Sequence, residues 1–146
     1  MNFGDAKVEA DVKSHGWHVV LVAGSNQSPC VAYTVGLFHN YQHPEFVVLG
    51  LPDTKGHEVL NIIGAAVKNG AHFCAGDRSD SILLGHSSAF VDFPNVGYFR
   101  YLGYARRFYG AKDFPVLQFV WPDAEGKFPW DAGVAADVRA NQAVTA

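Results

Sequence analysis

Three apolar segments follow one another closely near the start of the chain: WHVVLVAG at 17–24, CVAYTVGLF at 30–38 and EFVVLGL at 45–51. Their valines and threonine favour strands, and the connections between them are short and rich in turn-forming Asn, Ser and Pro. Parallel neighbours need a crossover of a dozen or more residues, so connections this short join antiparallel strands. The segments therefore predict a mainly antiparallel sheet.

Helical and strand patterns alternate along the rest of the chain. The clearest helix is predicted over about 54–69, because its apolar side chains recur every three to four residues. A shorter aromatic helix is predicted over about 97–109, and further strands over 89–93 and 115–121. This pattern indicates an α+β domain with the 54–69 helix packed on a twisted sheet, which is either open or similar to a split barrel.

The size and composition of the chain are those of one globular domain. It has 146 residues, of which 49% are hydrophobic and 17% charged. A chain of this length buries roughly two thirds of its unfolded surface, so it needs no disulfide or metal to fold. We expect a single α+β domain over 1–133. Residues 134–146 turn to Ala, Val, Asn and Thr, and we expect a loosely ordered tail there.

Charge and cysteine content exclude several classes of protein. A formal net charge of −3 argues against nucleic-acid binding, because phosphates require a basic face. Cys30 and Cys74 have neither zinc-site nor disulfide-framework spacing. The N-terminal residues contain no apolar signal region, and no run approaches the roughly 18 apolar residues that a membrane span needs. We therefore expect a cytoplasmic protein that binds neither nucleic acid nor membranes.

Histidines and glutamates occur together in two places: His39, His43, Glu45, His57 and Glu58. Such side chains can bind zinc or iron, but the first group lies in a predicted loop. The second lacks a helical H-E-x-x-H pair, since Asn61 replaces its second histidine. Local hydrogen bonding of loop histidines is the favoured interpretation, and we predict no metal site. His43 remains a candidate acid–base group, oriented by Glu45 or Asp123.

Aromatic residues and arginines interleave in YFRYLGYARRFY. Helical spacing places Tyr101, Tyr104 and Phe108 on one face, which favours packing against the core. The alternative is an anion site at Arg100 or Arg107, because arginines bind phosphates and carboxylates.

The segment LQFVWPDAEGKFPWDAG, residues 117–133, sets two tryptophans among prolines, glycines and acids. Pro122 ends the strand, and Gly126 suits the turn that follows. Asp123 is a plausible acceptor for a tryptophan N–H, since buried indoles usually have a partner. This Trp121–Trp130 rim is interpreted either as a structural clasp or as a contact for a ligand or partner.

Four motifs in this order resemble a known bacterial family: GWHVVLV, AYTVGLFHNYQHPEFVVLGLP, LNIIGAAVKNG and LQFVWPDAEGKFPWDAG. The family is the domain of unknown function 4262, and the resemblance spans about residues 15–133. It implies no activity, cofactor or substrate. A weaker similarity, to flavin-reductase-like split barrels, rests on AYTVGLF and EFVVLGLP. It implies flavin as a cofactor, with Thr34 near the flavin phosphate. Pro44 lies where that family has a pair of prolines, and Glu45 replaces the second proline of the pair.

We expect the domain to bind a small anionic or aromatic ligand between the strands of 30–51 and the Trp121–Trp130 rim. Pockets tend to form where aromatic and polar groups meet at strand ends. Whether it is an enzyme stays open, with His43 and Glu45 as catalytic candidates. The alternative is a protein-binding module, of immunity or adaptor type, that uses an exposed aromatic patch, or a homodimer through that patch. The predicted ligand-binding residues are Tyr33, Thr34, His43, Arg100, Arg107, Trp121, Asp123 and Trp130.

Overall fold

A computed structural model describes residues 3–25, 29–83, 85–94, 97–98, 101–110 and 112–142. Its helices are α1 (Phe3–Ser14), α2 (Leu37–Tyr41), α3 (Asp53–Lys68), α4 (Gly103–Tyr109) and α5 (Ala136–Asn141). Its strands are β1 (His18–Val22), β2 (Val31–Val35), β3 (Glu45–Leu49), β4 (Arg78–Leu83), β5 (His86–Asp92) and β6 (Val116–Val120). No helix in the described part of the chain is long and apolar enough to cross a membrane.

The six strands form one sheet in the order β1-β2-β3-β6-β5-β4. Four of the neighbouring pairs are antiparallel, and β3 and β6 pair in parallel. The α+β prediction is confirmed. The sheet is open, with β1 and β4 as its edges, and does not close into a barrel. Helices cover both faces of the sheet, and this layering gives its apolar residues partners without closing it.

Helix α3 covers one face of the sheet, and α1 and α4 cover the other. The first face packs Val59, Leu60 and Ile63 of α3 against Phe46 and Phe119. The second core cluster joins α1 and α4 to the sheet through residues that include Val8, Val12, Tyr33, Ala105 and Tyr109. Because both faces are covered, β2, β3 and β6 are buried at every position. Burial on both faces explains why these strands are nearly continuous apolar runs.

Two elements differ from the sequence prediction. The second strand was expected to run to residue 38 and to be followed by a polar loop, but Leu37–Tyr41 form α2. Gly36 (φ 118°) and Gln42 (φ 52°) bound this helix in left-handed conformations. The strand Arg78–Leu83 was missed because it is an edge strand, whose first four residues, RSDS, are largely exposed and polar.

The helix predicted at 54–69 is confirmed as α3 (Asp53–Lys68). The predicted aromatic helix is found in part as α4 (Gly103–Tyr109), with residues 97–98 and 101 also helical. Arg100 lies outside the described residues. A loose tail was predicted at 134–146, of which the structure describes 134–142. Residues 136–141 form α5, and Val138 is buried.

Candidate functional site

The Glu45 carboxylate is fully buried at the start of β3 and lies among five hydrogen-bond donors. They are Thr34 Oγ1 at 2.8 Å, Gly36 N at 2.8 Å, Leu37 N at 3.1 Å, Phe38 N at 3.3 Å and the Tyr109 hydroxyl. A buried charge is costly unless it is hydrogen-bonded, and here the donors surround both oxygens. The carboxylate therefore holds β2, β3, α2 and α4 together.

One glycine makes this arrangement possible. The positive φ of Gly36 turns the chain from β2 into α2, so the N–H groups of residues 36–38 converge on one point. The first N–H groups of a helix have no partners within the helix, and a carboxylate there satisfies them. A Cβ at Gly36 would lie 2.9 Å from Gly16 O, so no larger residue fits without a shift.

The proton positions in this cluster follow from burial and from the donors. Burial raises the pKa of the Glu45 carboxyl, and the hydrogen bonds, that of Tyr109 foremost, counteract the rise. Three of the donors are backbone N–H groups, which cannot accept a proton and so favour the ionised carboxylate. Burial and then the adjacent Glu45 charge raise the pKa of Tyr109, so its phenol remains protonated and donates.

The hydrogen bonds of Thr34 with Glu45 and Phe46 leave its hydroxyl unable to donate to a flavin phosphate. Its side chain is completely buried, donates to Glu45, and accepts a hydrogen bond from Phe46 N at 2.9 Å. The carboxylate of Glu45 already engages the hydroxyl and backbone donors at this strand end, and a second anion beside it would be repelled. Thr34 is thus committed to the fold and has no donor to offer a phosphate.

His43 is also buried, and backbone groups occupy both of its ring nitrogens. Nδ1 lies 2.9 Å from Pro44 O, and Nε2 accepts from Phe73 N at 2.9 Å. This pairing requires the neutral tautomer with its proton on Nδ1. Burial lowers the pKa of His43, which keeps the ring neutral. Neither Glu45 nor Asp123 is among its partners, so the structure does not supply the orienting carboxylate expected for an acid–base histidine.

The histidine–glutamate groups are not brought together. Among the described residues, no cluster of three or more His, Cys, Asp or Glu side chains could hold a metal ion. His43 packs on Phe46 in the core, with ring centroids 5.2 Å apart, whereas His39 is exposed on α2. His57 lies on α3 and contacts Asn61 of the same helix.

An open groove of about 580 Å³ lies between α1, α2 and α4. Its lining combines apolar and polar side chains: Ala6, Glu9, Ala10, Val12, Lys13, His39, Asn40 and Phe108. Pockets that hold small molecules usually measure 300–1,000 Å³. The groove therefore has the size of a small-molecule site, and we take it as the candidate site.

The walls of the groove are held by specific contacts. The imidazole of His39 meets the ring of Phe108 edge-on, with centroids 5.6 Å apart and planes at 89°. The Asn40 amide donates to Val12 O at 3.0 Å and to Gly16 O at 2.8 Å, which fixes α2 against the end of α1. Glu9 and Lys13 are exposed on α1. The described lining of the groove thus presents the ammonium of Lys13, the imidazole of His39, the carboxylate of Glu9 and the ring of Phe108.

The tyrosines and Arg107 lie outside this lining. Tyr33 is buried, and its hydroxyl accepts from Tyr104 N at 3.0 Å. The guanidinium of Arg107 lies 4.3 Å above the ring of Tyr104. Tyr101, Tyr104 and Phe108 pack as partly buried residues on the core, as their helical spacing indicates.

The tryptophan rim is mostly a structural clasp. Trp121 Nε1 donates to Leu49 O at 2.9 Å, so the expectation that Asp123 accepts this proton is wrong. Asp123 instead accepts from the backbone N–H groups of three residues, Glu125, Lys127 and Ala135, with that of Lys127 foremost in lowering its pKa. Trp130 differs, because 38% of it is exposed.

Sequence reasoning missed the groove, although it singled out His39. Glu9 and Lys13 stand four residues apart on α1, a pattern that any solvated helix shows. Phe108 was assigned to a core stripe, and its contact with His39 joins two helices far apart in sequence. No local motif connects these positions, so only the tertiary fold reveals the groove.

The comparison with known families agrees with the motifs of the sequence. The sequence pattern of the family described as "Domain of unknown function (DUF4262)" matches residues 11–135, which include all six strands and the 36–38 turn around Glu45. No curated protein and no solved structure was found to match the chain. Since the match covers most of its length, the chain belongs to the DUF4262 family.

Proposed function

We propose that this domain binds a small organic molecule that joins an anionic group to a flat apolar part, in the groove between α1, α2 and α4. The observation that carries the proposal is the groove itself: about 580 Å³, with Lys13, His39 and Phe108 in one lining. The ligand class is the one expected from the sequence. The site differs, because the groove contains none of the residues of the Trp121–Trp130 rim.

The apolar part of the ligand is inferred from the shape of the lining. Ala6, Ala10 and Val12 give the α1 side of the groove small apolar side chains. Phe108 and His39 stand perpendicular to each other, so they form a corner. A planar ring that stacks on one of them meets the edge of the other, and aromatic rings favour both arrangements.

The anionic part is inferred from the charges around the groove. Lys13 contributes an ammonium group, and His39 an imidazole whose ring N–H can donate a hydrogen bond. Among the residues that the structure describes, Glu9 is the single carboxylate of the lining. A carboxylate or phosphate on the ligand is therefore placed best next to the Lys13 ammonium and the His39 imidazole.

The proposal is tested by NMR titration with benzoate, phenyl phosphate and the neutral analogue benzyl alcohol. We expect the anionic probes to shift resonances of His39 and Phe108. Lys13→Gln should weaken their binding by about 1.4- to 5-fold, the range for one exposed ion pair, and leave the binding of benzyl alcohol unaffected. Lys55→Gln is the matched control, because this exposed lysine lies on α3, across the sheet. The proposal fails if no probe shifts the resonances of the groove residues, or if Lys13→Gln and Lys55→Gln weaken the binding of the anionic probes equally.

A second candidate is a protein-binding module that uses the exposed face of Trp130. The indole stacks on Phe128 with centroids 5.1 Å apart, and the Arg78 guanidinium lies 4.4 Å from the Phe128 centroid. Tryptophan and arginine are enriched at the energetic centres of interfaces.

The second candidate is tested with a photo-crosslinking residue at position 130, compared with one at position 62. Ile62 is the control because it is an equally exposed apolar residue, 40% exposed against 38%. In cells of the native host, this function predicts one discrete adduct from position 130 and none from position 62. Adducts at both positions, or at neither, rule it out.

A further inference from the structure

The hydroxyl of Tyr109 connects α4 with α2, two of the three helices that line the groove. It accepts a hydrogen bond from His39 N at 3.2 Å and donates its own proton to Glu45. Tyr109 is the last residue of α4, directly after Phe108, which lines the groove. One side chain therefore contacts the backbone of one groove residue and is the chain neighbour of another.

We propose that Tyr109 is a positioning residue of the groove, which fixes the His39 imidazole against the Phe108 ring through its bond to Glu45. This inference rests on the proposed binding function, for which it names the buried support. Tyr109 is itself buried and is not among the residues that line the groove, so it acts through His39 and Phe108.

The support is rigid because Glu45 is held from several directions. Thr34 and the backbone N–H groups at 36–38 bind the carboxylate from β2 and α2. The ring of Tyr109 is fixed as well, since it stacks on Phe114 with centroids 4.6 Å apart and meets Phe38 at 5.8 Å. The hydroxyl thus has one available place, between His39 N and the carboxylate.

The same contacts explain why a charge is buried under a surface groove. A helix of five residues has few hydrogen bonds of its own, so α2 needs external partners to keep one orientation. Glu45 satisfies its first N–H groups, and Tyr109 takes the N–H of His39, the next residue. The orientation of His39 is therefore set by the hydrogen bond of its backbone N–H to the buried Tyr109 hydroxyl, and not by contacts of its exposed side chain with solvent.

The test compares Tyr109→Phe with Thr34→Val. Each change removes one hydroxyl that donates to Glu45 and leaves the shape of the side chain almost unchanged. Only the first removes the acceptor of His39 N. The readouts are hydrogen exchange of the His39 amide, the ring-current shift of the His39 imidazole protons caused by Phe108, and the affinity for benzoate.

We expect Tyr109→Phe to raise His39 amide exchange about tenfold, to reduce the ring-current shift and to weaken benzoate binding. Thr34→Val should lower thermal stability but change the three readouts less than Tyr109→Phe, because Glu45 keeps its other donors and His39 N keeps its acceptor. The inference is overturned if Tyr109→Phe keeps the wild-type ring-current shift, or if both variants change it equally. Failure of wild-type protein to bind any probe overturns the proposed function alone, because the ring-current shift judges the positioning without a ligand.

Discussion

Trp121 and Gln142 exchange two hydrogen bonds at the end of β6. The backbone N–H of Trp121 donates to Gln142 Oε1 at 2.9 Å, and Gln142 Nε2 donates to Trp121 O at 2.7 Å. The glutamine side chain thus pairs with the chain as a neighbouring strand would. It is 1% exposed, so the C-terminal helix α5 is fastened to the sheet by a buried polar contact.

Gln142→Leu should lower the free energy of unfolding by about 2 kcal/mol, because it leaves two buried backbone groups of Trp121 without partners. Urea denaturation measures the loss. Asn141→Ala is the control. Asn141 is an exposed neighbour of Gln142, and alanine keeps the Cβ that lies next to Gly50. Equal stability of the two variants would show that α5 does not depend on the glutamine contact.

Glu45→Gln should lower the free energy of unfolding by about 3 kcal/mol. The side-chain amide nitrogen of the new glutamine is a hydrogen-bond donor. Each oxygen of Glu45 accepts from a backbone N–H group, so in either orientation of the amide this nitrogen would face another donor. Urea denaturation of Glu58→Gln, an exposed glutamate on α3, gives the baseline. A change no larger than that baseline would mean that Glu45 is protonated in the fold.

His43 should make the protein less stable in mild acid. Its folded pKa lies below the unfolded value of 6.5, so the unfolded chain binds the extra proton. The contribution of His43 to stability is therefore fully present above pH 6.5 and is lost as the pH falls toward the pKa of the folded state. Unfolding free energies at about pH 7.5 and pH 5.5 measure the fall, which His43→Gln should reduce. His57→Gln, at an exposed position on α3, should leave the fall unchanged; an equal reduction would contradict the assignment.

Two helical glycines should respond to alanine in opposite ways. A Cβ on Gly64 would lie 2.5 Å from Trp17 Cε2, so Gly64→Ala should cost about 1–3 kcal/mol through overpacking. Gly103 has nothing within 4 Å of that position, so Gly103→Ala should stabilise α4 by about 0.5 kcal/mol. Thermal unfolding shows both effects. Stabilisation by Gly64→Ala would contradict the close packing of α3 on Trp17.

The elements that could be predicted from the sequence are those with a strong local signal. Helix α3 was predicted because it buries one apolar stripe, and β1 to β3 because they are apolar with short connections. The polar strand Arg78–Leu83 gave no such signal. Its pairing with β5, rather than burial of its own residues, makes it a strand.

The site was harder to predict because its contacts are distant in sequence. Glu45 looked like a catalytic or metal-binding candidate until Tyr109, 64 residues away, was seen to donate to it. His43 likewise depends on Phe73, 30 residues away, for its neutral tautomer. A sequence pattern identifies such polar residues as unusual. It does not show which of them have their hydrogen bonds satisfied inside the protein.

The parallel pair of β3 and β6 has a consequence for synthesis of the protein. It joins two antiparallel groups, β1–β3 and β4–β6, and the N–H of Glu45 donates across it to Pro115 O. The first group is synthesised about seventy residues before its partner strand at 116–120. Until that strand leaves the ribosome, β3 is an exposed apolar edge, the kind of surface that invites aggregation. Pairing with β6 covers this edge of β3 and keeps it from pairing with other chains.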